Sequence, residues 1–181
     1  MRVRCLGVEA TRGVSMALSQ VVEASGLILS LIGPLGAGKT AFVKGLAEGL
    51  GIDPSGVASP TFVIANQYPA RSGRRLAHVD LYRLATAEEL EDVGFLDLLE
   101  PGAVVAVEWG DRLPGALPRD RLELRIDRDA GSEESRSFSA SATGRDSQRV
   151  LEAWETRLRE GFDWSLPGTG LEFILERAGN R

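Results

Sequence analysis

The amino-acid sequence predicts an α/β fold: one domain with a mostly parallel central sheet, antiparallel edge strands and flanking helices. Three observations predict it. Leu27–Ile32 and Ala103–Val107 are short, nearly continuous apolar runs of the kind that parallel sheets bury on both faces. Segments whose apolar residues recur at helical spacing separate the strand-like runs. A glycine-rich stretch directly follows Leu27–Ile32 and leads into one of those helical segments.

Taken in order, Val3 to Val8 is expected to form a first strand. Val14, Ala17, Leu18, Val21 and Val22 then mark a helix up to Gly26, a stop signal. After the strand Leu27–Ile32 and the glycine loop, Phe42, Val43, Leu46, Ala47 and Leu50 lie on one face of a helix from Thr40 to Leu50, ended by Gly51 and Pro54. Thr61–Tyr68 and Arg75–Tyr82 read as a hairpin around the turn-rich 69–74 segment. Short helices are expected at Ala87–Val93 and Phe95–Glu100, and the buried run Ala103–Val107 delivers Glu108 and Trp109 at its C-terminal end. Leu122–Ile126 and Ser137–Ala142 alternate like an antiparallel pair, and Val150, Leu151, Trp154 and Leu158 line one side of a last helix. Residues 1–162 are thus expected to form the domain, and 163–181 a C-terminal extension of linker and short helix, with Leu171, Phe173, Ile174 and Leu175 as its apolar patch.

A length of 181 residues suffices for one full core without metal or disulfide staples. With 43% hydrophobic and 26% charged residues the chain has globular composition. A net charge of −5 argues against an independent grip on nucleic acid, whose phosphates are held mainly by Lys and Arg. Cys5 is the single cysteine, which excludes an intrachain disulfide and fits a reducing, cytoplasmic address. The longest uncharged stretch, Ala24 to Gly38, is broken by Gly and Pro and is too short for a membrane span.

Gly33-Pro34-Leu35-Gly36-Ala37-Gly38-Lys39-Thr40 is a complete Walker A motif between a strand and a helix. In such a P-loop, backbone N–H groups wrap phosphates, the Lys neutralises the outer two, and the Thr hydroxyl binds Mg²⁺. The chain uses Arg for all basic positions except Lys39 and Lys44, so a compact ammonium at Lys39 is informative. ATP and Mg²⁺ are the expected cofactors. A P-loop also needs a carboxylate at the end of a neighbouring strand, and Asp80 and Glu108 are the candidates. Lys39, Asp80 and Glu108 are the expected catalytic residues, and Thr40, Asp80 and Glu108 the expected metal-binding ones. Asp80 is expected chiefly to serve the ion and Glu108 the attacking water. His78, the only histidine, is expected to be structural, because P-loop chemistry rests on positioning and electrostatics rather than on an imidazole base.

Gly33–Thr40, Ser59-Pro60-Thr61-Phe62, His78-Val79-Asp80-Leu81-Tyr82-Arg83-Leu84 and Glu108-Trp109 occur in an order and at spacings that resemble the TsaE (YjeE) family. The resemblance covers Met1 to about Leu158. It implies a slow, Mg²⁺-dependent ATPase that acts with TsaD and TsaB in threonylcarbamoyl-adenosine (t6A) modification of tRNA adenosine 37, touching tRNA only through that complex. It adds Thr61, in a loop like a nucleotide-sensing switch, and Trp109 to the nucleotide-binding residues, which otherwise run from Gly33 to Ala41. Pro34, Ala41 and Gln67 depart from the family pattern without removing a phosphate or metal group. Two other readings share the P-loop: a small-molecule or nucleoside kinase, with Arg71, Arg74 and Arg75 as a basic lid, and a nucleotide switch that never turns over.

Overall fold

The computed structural model describes residues 1–22, 26–70, 73–129 and 132–160. The 163–181 extension, with its expected short helix, lies outside the described residues, as do Arg71 and Trp164. One seven-stranded sheet runs through the molecule in the order β1-β7-β6-β2-β5-β4-β3. Its strands are β1 (Arg2–Leu6), β2 (Leu27–Ile32), β3 (Ala65–Pro69), β4 (Arg75–Asp80), β5 (Val104–Glu108), β6 (Leu122–Asp129) and β7 (Ser132–Ala142). The middle pairs β6/β2, β2/β5 and β5/β4 are parallel, and the outer pairs β1/β7, β7/β6 and β4/β3 are antiparallel.

The helices are α1 (Gly7–Ser19), α2 (Lys39–Gly49), α3 (Ala87–Asp92) and α4 (Arg145–Glu160), with 3-10 turns at Pro54–Gly56 and Phe95–Leu98. α1, α2 and α4 cover one face of the sheet. There Leu29, Leu31, Ala106 and Leu124 meet Val14, Leu18, Phe42, Leu46 and Trp154. The Trp154 ring stands edge-on to Phe42 at 6.1 Å, and its indole N–H donates to the Val14 carbonyl at 3.0 Å, so α4 seats α1 and α2 together. On the opposite face, Val79, Val105 and Val107 pack against Leu90, Phe95 and Leu98.

Three expectations shift on contact with the structure. The first strand stops at Leu6 because the chain turns at Gly7, where φ is +79°, and α1 begins at once instead of near Val14. The expected strand Thr61–Tyr68 is paired only from Ala65 on, and residues 57–64 form a loop. Its apolar stretch Phe62-Val63 looked strand-like, yet Phe62 is 83% exposed. Phe95–Glu100 makes a single 3-10 turn ending at Leu98. Among the described residues no helix is long and apolar enough to cross a membrane. Cys5 is buried, and that burial pushes its thiol pKa up to about 12, so it stays an unreactive core group.

Candidate active site

The carboxyl ends of the parallel strands converge on one cavity of about 390 Å³. β2 feeds the loop 33–38, which turns into α2 at Gly38, a residue with φ +111°. Gly33 has φ +149°, and a Cβ there would collide with the Ile126 carbonyl oxygen of β6, so only glycine lets the loop leave the sheet at this point. The first-turn N–H groups of α2 have no partner within the helix, and the residues that carry them line the cavity. The Arg128 guanidinium donates to the Gly36 carbonyl at 3.2 Å and Arg136 Nε to the Ala37 carbonyl at 2.9 Å. These two strand residues brace the loop from behind. No short sequence pattern points to them, because the contact spans roughly a hundred residues of chain.

Lys39 is 4% exposed, and its ammonium donates to the Gly33 and Pro34 carbonyls at 2.8 and 3.0 Å. It also stands 3.7 Å from the centroid of the Trp109 ring, a cation–π contact. Burial holds its pKa below the ordinary lysine value, while Glu108, Asp80 and Asp111 pull in the opposite direction. Trp109 itself has φ +60°, an uncommon backbone state for a bulky residue, and its ring lies 5.1 Å from that of Tyr82.

The two carboxylates sit side by side, because β4 and β5 pair Asp80 directly with Glu108. Their partners differ. Glu108 Oε1 accepts from the Thr40 hydroxyl at 2.7 Å and lies 2.8 Å from His78 Nε2. Asp80 Oδ2 accepts from the hydroxyls of Thr61 at 2.6 Å and Ser59 at 3.1 Å, and Oδ1 accepts from the Tyr82 N–H at 2.9 Å. The Ser59 and Thr61 hydroxyls are themselves 2.8 Å apart. Asp80 therefore ties the 57–64 loop to the end of β4, helped by the Asp80 N–H, which donates to the Ile64 carbonyl at 2.9 Å.

Lys39, Thr40, Ala41, Thr61, Asp80, Glu108 and Trp109 all line the cavity with Leu35, Gly36, Ala37 and Gly38. Ser59 and Tyr82 join them; both stand in quoted sequence motifs but carry no chemistry that marks them alone. A second cavity of about 300 Å³, lined by Gly7, Val8, Thr11 and Arg136, shares Ala37, Gly38 and Ala41 with the first. Of the arginines considered as a lid, the two among the described residues, Arg74 and Arg75, lie elsewhere. Arg74 donates to the Val22 carbonyl at 2.8 Å and Arg75 pairs with Glu100 at 3.2 Å, at the end of the sheet opposite the P-loop.

These residues fit an ion that is held mostly by its nucleotide. Among the described residues no group of three or more His, Cys, Asp or Glu side chains could hold a metal unaided. Mg²⁺ typically takes one or two carboxylates and completes its shell with phosphates and water, and the Thr40–Glu108 pair beside the loop offers that partial set.

The family model described as threonylcarbamoyl adenosine biosynthesis protein TsaE matches residues 7–138. A Streptomyces coelicolor protein called tRNA threonylcarbamoyladenosine biosynthesis protein TsaE is 42% identical over 147 residues, which span 80% of this chain and 94% of the relative. The Bacillus subtilis protein of that name is 38% identical over 141 residues, 77% of this chain and 85% of its own. Among solved structures, the crystal structure of Bacillus subtilis YdiB superposes with a TM-score of 0.64 at 30% identity, covering 88% of this chain and 95% of that one.

Proposed function

The chain belongs to the TsaE family, and on that premise we propose that it binds ATP with Mg²⁺ and hydrolyses it slowly in tRNA threonylcarbamoyladenosine biosynthesis, acting at adenosine 37 through TsaD and TsaB in the cytoplasm. The observation that carries this reading is the 2.7 Å contact between Thr40 of the P-loop and Glu108 at the end of β5. A phosphate-binding loop without that carboxylate could hold an anion; with it, the loop can hold a nucleotide and its ion together.

When bound, Mg²⁺ neutralises charge on the outer phosphates. The N–H groups at the start of α2 receive phosphate oxygens. Lys39 leaves two carbonyls of its own loop to meet the outer phosphates, an exchange of neutral acceptors for charged ones. We assign Thr40 and Glu108 to the ion. This moves the ion from Asp80 to Glu108 and gives Asp80 a different task, since its partners on both oxygens favour a role in anchoring Ser59 and Thr61. Thr61, on the cavity wall, then orients the attacking water or the terminal phosphate. The adjoining cavity by Gly7, Thr11 and Arg136 is placed to take the base. Residues 1–162 form the catalytic unit in this reading, and 163–181 an appendage that nucleotide binding does not need.

Two measurements test the reading. Lys39→Ala is expected to lower ATP affinity by calorimetry at least about 100-fold, or about 2.7 kcal/mol, with the fold intact. Mixing the protein with TsaD and TsaB homologues is expected to raise ATP turnover. Fast phosphoryl transfer to a small acceptor without those partners would point to the kinase reading instead.

A further inference from the structure

His78 carries the one buried side-chain polar atom without a hydrogen-bond partner among the described residues, its Nδ1. The imidazole is 0% exposed on β4, the strand next to the β3 edge of the sheet, between Asn66 of β3 and Ala106 of β5. An unpaired polar atom in a core carries a penalty that a leucine or phenylalanine of similar size would avoid. The other ring nitrogen makes up for it, because Nε2 lies 2.8 Å from Glu108 Oε1. A carboxylate oxygen only accepts, so that contact requires a proton on Nε2.

Glu108 Oε1 receives two donors, Thr40 from the P-loop and His78 from the central sheet. The first belongs to the loop proposed to receive the nucleotide, while the second sits in β4, which is buried from Leu76 to Asp80. We propose that His78 is a positioning residue: its Nε2–H clamps Glu108 Oε1, fixing the rotamer in which the carboxylate faces Thr40 and the ion. This inference rests on the assignment of Thr40 and Glu108 to Mg²⁺. The arrangement has the form of a histidine that orients a metal-binding carboxylate from behind, and changes to such outer partners typically cost 10–100-fold in metal affinity.

The test uses the full chain and two readouts. Because His78 is the only histidine, protein labelled with ¹⁵N-histidine gives one imidazole spin system. The expected spectrum shows a proton on Nε2 that is slow to exchange and shifts on addition of ADP with Mg²⁺. An imidazole with no proton on Nε2 would overturn the proposal without any mutant being made. The second readout is the ratio of ADP affinities with and without Mg²⁺, measured by calorimetry. That ratio is expected to fall at least about tenfold in His78→Phe and to recover in His78→Gln, whose amide can donate from a similar place. A normal ratio in His78→Phe, with wild type showing a clear Mg²⁺ effect, would overturn the positioning role alone. No Mg²⁺ effect in wild type would overturn the Thr40–Glu108 ion assignment, and the inference with it.

Discussion

The two walls of the site are built differently. On one side, the P-loop and α2 rest on buried Phe42, Val43 and Leu46, and the loop carbonyls are gripped by Arg128 and Arg136. On the other, the 57–64 loop is seated at its start by buried Val57, but its tip is tied to Asp80 through the Ser59 and Thr61 hydroxyls and leaves Phe62 and Val63 83% and 64% exposed. Ile64 adopts φ +67°, a strained state for a β-branched residue. The comparison teaches that one wall is fixed mainly by packing, whereas the tip of the other, past Val57, is fixed mainly by hydrogen bonds to a carboxylate. A wall held by charge can respond when an ion or phosphate enters the cavity, whereas a wall held by packing cannot.

The largest effect is expected on the packed wall. Gly33→Ala places a methyl against the Ile126 carbonyl, and its positive φ adds strain, so a loss of roughly 3 kcal/mol or more in unfolding free energy is expected together with loss of ATP binding. Chemical denaturation and calorimetry would measure both; a stable, nucleotide-binding variant would mean that the loop is not packed tightly there. An intermediate effect is expected where the hanging wall is tied. Thr61→Ala removes the 2.6 Å bond to Asp80 and should raise hydrogen exchange across residues 57–64. Overall stability should fall by only about 1 kcal/mol, with ATP affinity dropping roughly three- to tenfold. The smallest effect is expected at the tip: Phe62→Ser should change stability by no more than about 0.5 kcal/mol. Its exposed ring has the Arg83 guanidinium 4.4 Å from its centroid. A clear loss of stability at Phe62 would make the second wall a packed one as well and erase the distinction.

The same contrast decides what could be read before the structure. The P-loop is legible because its eight residues are consecutive and lie between a buried strand and an amphipathic helix, so local physics and function coincide. Asp80 and Glu108 are legible as the ends of strand-like runs, since carboxylates at such ends face the ligand side of an α/β sheet. The partners of those carboxylates are not, because Thr40 and Glu108, or Thr61 and Asp80, meet only once the strands have paired. The 57–64 loop misleads for a different reason. Phe62, Val63 and Ile64 carry β-favouring side chains, but the Ile64 N–H bonds to Pro60 and turns the stretch away from the sheet. Arg128 and Arg136, on antiparallel strands behind the loop, leave no local signature at all.

The central claim is that Glu108, with Thr40, serves the ion while Asp80 serves the loop. Titrating a non-hydrolysable ATP analogue into wild type, Glu108→Gln and Asp80→Asn, each with and without Mg²⁺, tests it most directly. The account predicts that Glu108→Gln loses at least about tenfold of the Mg²⁺-dependent gain in affinity. It predicts that Asp80→Asn keeps that gain to within roughly threefold, about 0.7 kcal/mol, while its 57–64 loop loosens. The reverse pattern, with Mg²⁺ dependence lost in Asp80→Asn and intact in Glu108→Gln, would contradict it.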